Sequence, residues 1–280
     1  MKICKTISEF KNWRNSNIHE NIGYIPTMGA LHKGHLSLVA SSKLHCDKTV
    51  VSIFVNELQF SPDEDFEKYP RTLEQDLKKL ENHKVDVVFI PETSEIYKSD
   101  FSILINELDL SQKLEGASRP GFFSGVTTVV SKLFNIIEPS YAFFGEKDIQ
   151  QLIIIKKLVL DLNFNIQVVG CETIREASGL AMSSRNQYLS DQDKKDASIL
   201  YETLQLGQNL LKKNETVGET KLQLKSKLQN NKKIKIDYLS IANSTTLEEL
   251  RDNVKLKNEK VIISAAIFFN DVRLIDNIII

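Results

Sequence analysis

Short apolar runs alternate with helix-periodic stretches through the first two thirds of the chain. Ile22-Gly23-Tyr24-Ile25-Pro26 reads as a buried strand, and Leu36, Leu38, Val39 and Ala40 carry the spacing of a helix lying on a sheet. The same reading puts strands near 22–26, 48–55, 85–90, 141–144 and 166–170, and helices near 35–44, 72–83, 126–137 and 149–161. A βα alternation of this kind predicts an α/β fold, a Rossmann-like doubly wound parallel sheet. After about Cys171 the pattern changes to helices near 191–212 and 216–230, followed by strands at 234–241, 261–269 and 272–275. That is a smaller α+β C-terminal domain, so residues 1–173 and 174–280 are expected to form two domains, the second carrying a lid. The Pro- and acid-rich stretch Phe60–Pro70 reads as a loop over the crevice, and no internal repeat interrupts the pattern.

The first strand–helix junction is Pro26-Thr27-Met28-Gly29-Ala30-Leu31-His32-Lys33-Gly34-His35, with two imidazoles three residues apart around a glycine. A helix N-terminus offers unpaired N–H groups and partial positive charge, which favour phosphoryl oxygens. Residues i and i+3 share a helix face, so both rings can reach one phosphate. Half of a zinc site and a merely solvated helix start are the other readings of this pair. A second strand edge breaks at Gly145-Glu146-Lys147-Asp148 before the helical pattern from Ile149, and Lys147 would give the phosphates a mobile point charge. Ligands of open α/β sheets sit beyond the strands' carboxyl ends, where both edges can face one crevice. A charged surface turn is the plainer reading. The third patch, Gly179-Leu180-Ala181-Met182-Ser183-Ser184-Arg185-Asn186, groups small residues, hydroxyls and a guanidinium, as a phosphate clamp or as an ordinary connecting loop.

Taken in order, IPTMGALHKGH, VVSIFVNELQF, FEKYPRTLEQD, GVTTVVSKLFN, FFGEKDIQQL and REASGLAMSSRNQYLS resemble the signatures of the pantothenate synthetase family, within the class I aminoacyl-tRNA-synthetase-like nucleotidyltransferases. The resemblance implies ATP-dependent condensation of pantoate with β-alanine through a pantoyl adenylate, with Mg2+ accompanying ATP, and a homodimer. Carried over by position, it implies that His32, His35, Lys147 and Arg185 are catalytic, with His35 as a proton donor. The implied ATP contacts are Met28, Gly29, Ala30, Leu31, His32, Lys33, Gly34 and His35, then Gly145, Glu146, Lys147 and Asp148. Ile174, through its backbone, and Met182, Ser183, Ser184 and Arg185 complete them. Met28, Asn56, Gln59 and Gln151 are implied to bind pantoate or β-alanine. Carboxamides, which donate and accept, suit a substrate with a carboxylate and hydroxyls. Two positions depart from the family pattern: Glu57 stands where the family has proline, and Phe122 where it often has histidine.

The net charge of −1, from 36 Lys and Arg against 37 Asp and Glu, provides no basic field for nucleic acid. The lysines between Lys225 and Lys235 read as the solvated side of a helix and turn. No apolar run is long enough to span a bilayer, and Met1–Thr6 does not read as a signal peptide. Cys4, Cys46 and Cys171 are few and scattered, as expected of reduced thiols in a cytoplasm. Two further functions fit parts of the pattern: nucleotide transfer onto a phosphorylated substrate, and a silent nucleotide-binding regulator. Phosphate substrates favour extra arginines over Asn56, Gln59 and Gln151, and the intact His32, His35, Lys147 and Arg185 argue against silence.

Overall fold

A computed structural model describes every residue except Asp63, Lys257 and Asn258. The chain forms two compact units. The first comprises Met1–Leu108, Arg119–Glu146 and Gln151–Glu172; the second comprises Asp109–Ser118, Lys147–Gln150 and Thr173–Ile280.

In the first unit, β1 (Lys2–Cys4), β2 (Ile22–Thr27), β3 (Lys48–Ile53), β4 (Val87–Phe89), β5 (Tyr141–Gly145) and β6 (Gln167–Cys171) form one parallel sheet in the order β1-β4-β3-β2-β5-β6. Strand order reverses between β2 and β5, the switch point at which open α/β sheets place ligands beyond the strands' carboxyl ends. Consecutive strand residues face opposite ways, and both faces are covered. Ile25, Val51, Val88 and Phe143 pack with Leu38 and Val39 of α2 (Lys33–His45) and Leu80 of α3 (Leu73–Asn82). On the other face the buried Tyr24 meets Phe134 of α6 (Phe122–Ile137) edge to face and its hydroxyl bonds the Ser52 hydroxyl at 2.7 Å.

The strands and helices fall within a few residues of expectation, with instructive exceptions. The apolar pattern predicts neither strand β1 nor helix α1 (Ile7–Asn15); the strand has three residues, and the helix is largely polar, though Thr6 and Glu9 close a capping box at its start. Helices α4 (Thr93–Ile96) and α5 (Leu114–Ser118) are single turns. Helix α6 begins four residues before the expected 126, running through Gly125. A Cβ there would lie 2.2 Å from the Leu58 carbonyl oxygen, so only glycine lets the helix meet the turn Glu57–Gln59 this closely. The Phe60–Pro70 loop has neither strand nor helix over its described residues, with Asp63 outside them; Phe60 stacks edgewise on Phe66 and Tyr69.

In the second unit, β7 (Ile234–Asn243), β8 (Val261–Phe269) and β9 (Val272–Ile279) form an antiparallel sheet. Leu204 and Leu211 of α9 (Ile199–Lys212), Leu224 and Leu228 of α10 (Val217–Gln229), and Ile263 and Leu274 of the sheet share its core. The expected helix 191–212 is two helices, α8 (Asp191–Asp196) and α9, broken where the Ser198 hydroxyl bonds the Lys195 carbonyl at 2.7 Å. Helix α7 (Ile149–Asp161) starts in this unit and continues in the first. The short segments 109–118 and 147–150 are joined to each other by Gln150, almost fully buried, and the first is tied to the C-terminal sheet by Arg273, which binds Glu115 at 2.8 Å. The Gln150 amide donates to the Leu110 and Lys113 carbonyls at 2.8 Å and its oxygen accepts from the Glu115 N–H at 2.9 Å.

Candidate active site

The turn after β2 is built around Asp76, in the first turn of α3 and 1% exposed. Its two carboxylate oxygens accept from the Ala30 and Leu31 N–H groups, each at 2.8 Å, and Lys79 donates to the Leu31 carbonyl at 2.6 Å. These bonds hold Gly29 and Ala30 at φ 81° and 50°, in the left-handed region. Gly29 takes that conformation without steric cost; Ala30 needs the carboxylate. Gly29, Ala30 and Leu31 are buried, Met28, His32, Gly34 and His35 half-buried, and Lys33 exposed.

His32 is the N-cap of α2 and His35 its third residue, and they close a reciprocal capping box. The His32 Nδ1 accepts from the Gly34 N–H at 3.2 Å, and the His35 Nδ1 accepts from the His32 N–H at 3.3 Å. The rings lie 4.1 Å apart between centroids. With both Nδ1 atoms accepting, each neutral imidazole carries its proton on Nε2. Two N–H donors and the positive end of a helix dipole thus sit together beyond β2, an arrangement suited to an anionic oxygen.

Beyond β3, Asn56 is buried among protein partners. Its Nδ2 donates to the Gly125 carbonyl and to the Gln59 Oε1, both at 3.1 Å, and its Oδ1 accepts from the Tyr97 hydroxyl at 2.7 Å. Carbonyl and hydroxyl partners together fix which way the amide points. With its Oε1 held by Asn56, Gln59 presents its amide N–H groups, so Asn56 orients Gln59. Burial pushes the Tyr97 phenol up, keeping it a donor. Arg119 grips Glu64 through Nε at 2.5 Å and Nη2 at 2.7 Å, and donates to the Gln59 carbonyl at 3.3 Å. Its guanidinium lies 3.8 Å above the half-buried Phe122 ring, a cation–π contact at the position that departs from the family pattern. Gln151 is half-buried in the first turn of α7, its carboxamide without a hydrogen-bond partner among the described residues.

Gly145 ends β5 and Glu146 opens the 3-10 turn Glu146–Asp148, both in the first unit, whereas Lys147, Asp148, Ile174 and Met182 to Arg185 belong to the second. Lys147 Nζ is 3.4 Å from the Asp148 carboxylate. Ile174 and Arg175 run antiparallel to Ala181 and Met182; the Met182 N–H donates to the Ile174 carbonyl at 2.9 Å. The Ser183 hydroxyl caps the 3-10 turn Ser184–Tyr188 by accepting from the Arg185 N–H at 3.3 Å. The third patch is therefore a small hairpin leading into a capped turn, with Leu180 and Ala181 buried. Sequence reasoning missed Asp76, Tyr97, Arg119 and Gln150. Asp76 alone had a local signal, an acid in a first helical turn three residues after Leu73. Among the described residues, no group of three His, Cys, Asp or Glu could hold a metal ion, and no helix is long and apolar enough to cross a membrane.

A sequence model described as pantoate-beta-alanine ligase matches residues 2–279. The chain is 46% identical to the pantothenate synthetase of Acetivibrio thermocellus, over all of this chain and 99% of the relative, and 47% identical to that of Pseudothermotoga lettingae over the same shares. Among solved structures it superposes on pantothenate synthetase from Thermus thermophilus with a TM-score of 0.92 and 40% identity, covering 99% of each chain. Pantoate-beta-alanine ligase from Francisella tularensis, complexed with beta-gamma ATP and beta-alanine, gives a TM-score of 0.80 at 38% identity, covering 99% of this chain and 97% of that one. Matched from end to end in sequence and in fold, the chain belongs to the pantoate–β-alanine ligase family.

Proposed function

We infer that this protein is a ligase that forms an amide bond, condensing pantoate with β-alanine at the expense of ATP to give pantothenate, AMP and pyrophosphate. The observation that carries the reading is the imidazole pair capping α2 beyond β2, in a chain that matches the family from residue 2 to residue 279. In the proposed first step a pantoate carboxylate oxygen attacks the α-phosphorus, the bond to pyrophosphate breaks, and pantoyl adenylate forms. The Nε2–H groups of His32 and His35 would donate to the phosphoryl oxygens as charge builds there, with the backbone of Met28 to His35 around them. Gly145, Glu146, Lys147 and Asp148, with Ile174, Met182, Ser183, Ser184 and Arg185, are proposed as the further ATP contacts. Lys147 would supply a point charge and Arg185 a fork of donors. Gln59 and Gln151, with Met28, would hold pantoate, Asn56 acting through Gln59. In the second step the neutral amine of β-alanine attacks the acyl carbon, AMP leaves with the bonding pair, and the amine gives up a proton. Mg2+, bound with ATP, would neutralise phosphate charge, and no protein ligand is assigned to it.

We also propose a main division into domains at 1–173 and 174–280, apart from the segments 109–118 and 147–150 that group with the second unit, together with a cytoplasmic location and a homodimer. Three free cysteines fit a reducing compartment. Exposed Ile103, Leu104 and Leu108 offer apolar area to a second copy of the chain. The deciding experiment is exchange of labelled pyrophosphate into ATP with a panel of carboxylic acids. Exchange should need pantoate and Mg2+ but no amine. Exchange without pantoate, or supported equally by an unrelated acid, would overturn the assignment.

A further inference from the structure

Strand β9 carries a buried polar pair, Asp276 and Asn277, 3% and 8% exposed. Neighbouring residues on a strand point to opposite faces, so one dipeptide can reach two elements. Asp276 lies on the side of Leu274, toward the core shared with α9 and α10. It takes the Arg175 guanidinium through Nη1 at 2.5 Å and Nη2 at 2.9 Å. Arg175 in turn donates to the Gly179 carbonyl at 3.1 Å, lies 3.5 Å above the Tyr201 ring, and pairs with Ala181 across the hairpin. On the other side, the Asn277 amide donates to the Lys147 carbonyl at 2.9 Å.

We propose that Asp276 and Asn277 are positioning residues: Asp276 sets the hairpin that leads into Ser183-Ser184-Arg185, and Asn277 sets the peptide that carries Lys147. The proposal rests on the reading of Lys147 and Arg185 as ATP contacts. A buried ion pair contributes little net stability compared with an apolar pair of equal volume, but its two-pronged geometry fixes direction. Here the direction matters, because the Arg175 nitrogen held by Asp276 also grips the hairpin's own turn. Lysine has four rotatable bonds, so its ammonium finds a phosphate reproducibly only if its backbone stays put. Both phosphate-gripping elements of the second unit are thereby referred to one strand, and a shift of β9 moves them together.

The test compares Asn277→Ala, Asp276→Asn and Arg175→Lys in single-turnover formation of the acyl adenylate, with circular dichroism and melting curves as folding controls. Each should keep its secondary structure and slow adenylate formation by on the order of tenfold to a hundredfold, the range for a displaced reacting group. Arg175→Lys keeps the charge without the fork and serves should Asp276→Asn not fold. If Asn277 acts through Lys147, Asn277→Ala should slow a Lys147→Ala enzyme no further. Full rates in the folded single variants, or equal slowing by Asn277→Ala with and without Lys147, would overturn the positioning role. Unaltered rates in Lys147→Ala and Arg185→Ala themselves would instead remove the ATP-site reading beneath it.

Discussion

Asp76→Asn isolates one carboxylate without changing side-chain volume. The two buried backbone donors it serves, on Ala30 and Leu31, each sit 2.8 Å from a separate oxygen. Asparagine keeps one oxygen and puts an NH2 where the other was, so one N–H meets a donor instead of an acceptor. A buried donor left unsatisfied costs about 1–3 kcal/mol, and bonds to an ionised acceptor are roughly twice as strong as neutral ones. The expected loss is therefore about 2–4 kcal/mol, below the roughly 5–15 kcal/mol that typically holds a domain together, so the variant should fold. Losing the partner of Lys79 adds little, because that lysine side chain is 37% exposed and its nitrogen 3.6 Å from the carboxylate. Lys79→Met, which removes the bond to the Leu31 carbonyl but leaves the carboxylate, should cost less than Asp76→Asn.

Function should suffer with stability, because the freed turn runs directly into His32. Displacing the imidazole pair by about 1 Å predicts a loss in adenylate formation of up to about a hundredfold. Urea unfolding gives the first quantity and single-turnover kinetics the second. An Asp76→Asn protein within about 0.5 kcal/mol of the unaltered chain, the ordinary scatter of surface substitutions, would refute the view that this carboxylate holds the turn.

His32→Ala, His35→Ala and Lys147→Ala should each slow single-turnover adenylate formation by on the order of a hundredfold, and the two histidine variants should also lose about 1 kcal/mol of stability with their caps. Phe122→His should change the amide-forming rate by less than about threefold, while Phe122→Ala should lower stability by about 1 kcal/mol through the lost cation–π contact; a large acceleration in the histidine variant would show a chemical role for that imidazole. The hydrogen bond from Lys233, aided by Ser190 at Asp193 and by Gln192 at Asp196, holds both carboxyls below their usual range. Folded pKa values below the unfolded ones stabilise at pH above about 4 and the gain disappears as pH falls further, so Lys233→Met should lower the urea midpoint at pH 6 and much less at pH 3. Hydrogen exchange across Gly179–Asn186 should slow when ATP and pantoate bind, as for a loop closing on a reactive intermediate, and unchanged exchange would count against closure.

The sheet was legible because buried parallel strands are continuous apolar runs, as in Thr49–Val55, and the helices between them bury one periodic face. Strand β1 was invisible for lack of length. Segment 109–118 gave no sign of joining the second unit, since its ties run through Gln150 and through Arg273, which binds Glu115 at 2.8 Å from 158 residues away. In the candidate site, the imidazole pair could be read because its spacing is local. Its capping role could not, because caps are ordinarily Ser, Thr, Asp or Asn. Asn56 illustrates the same limit: the motif marks the residue, but only packing against Tyr97 and Gly125 shows that its amide serves Gln59.

The caps also constrain the chemistry open to His32 and His35. Each Nδ1 accepts a backbone N–H, so a neutral ring can only donate through Nε2. Acting as a general base through Nε2 would require the proton on Nδ1, opposite a backbone donor, at about 1 kcal/mol for each lost cap. Donation to a phosphoryl oxygen leaves both caps intact. That fits the proposed first step, in which the nucleophile is a carboxylate with no proton to surrender and the developing charge lies on phosphoryl oxygens. It fits the second step less well, since the β-alanine amine must lose a proton to some acceptor. An imidazole could take that proton only after giving up its Nε2 hydrogen or its cap. In the proposed reaction the pair would therefore hold charge during adenylation, and the amine's proton is expected to leave by a route that bypasses both rings.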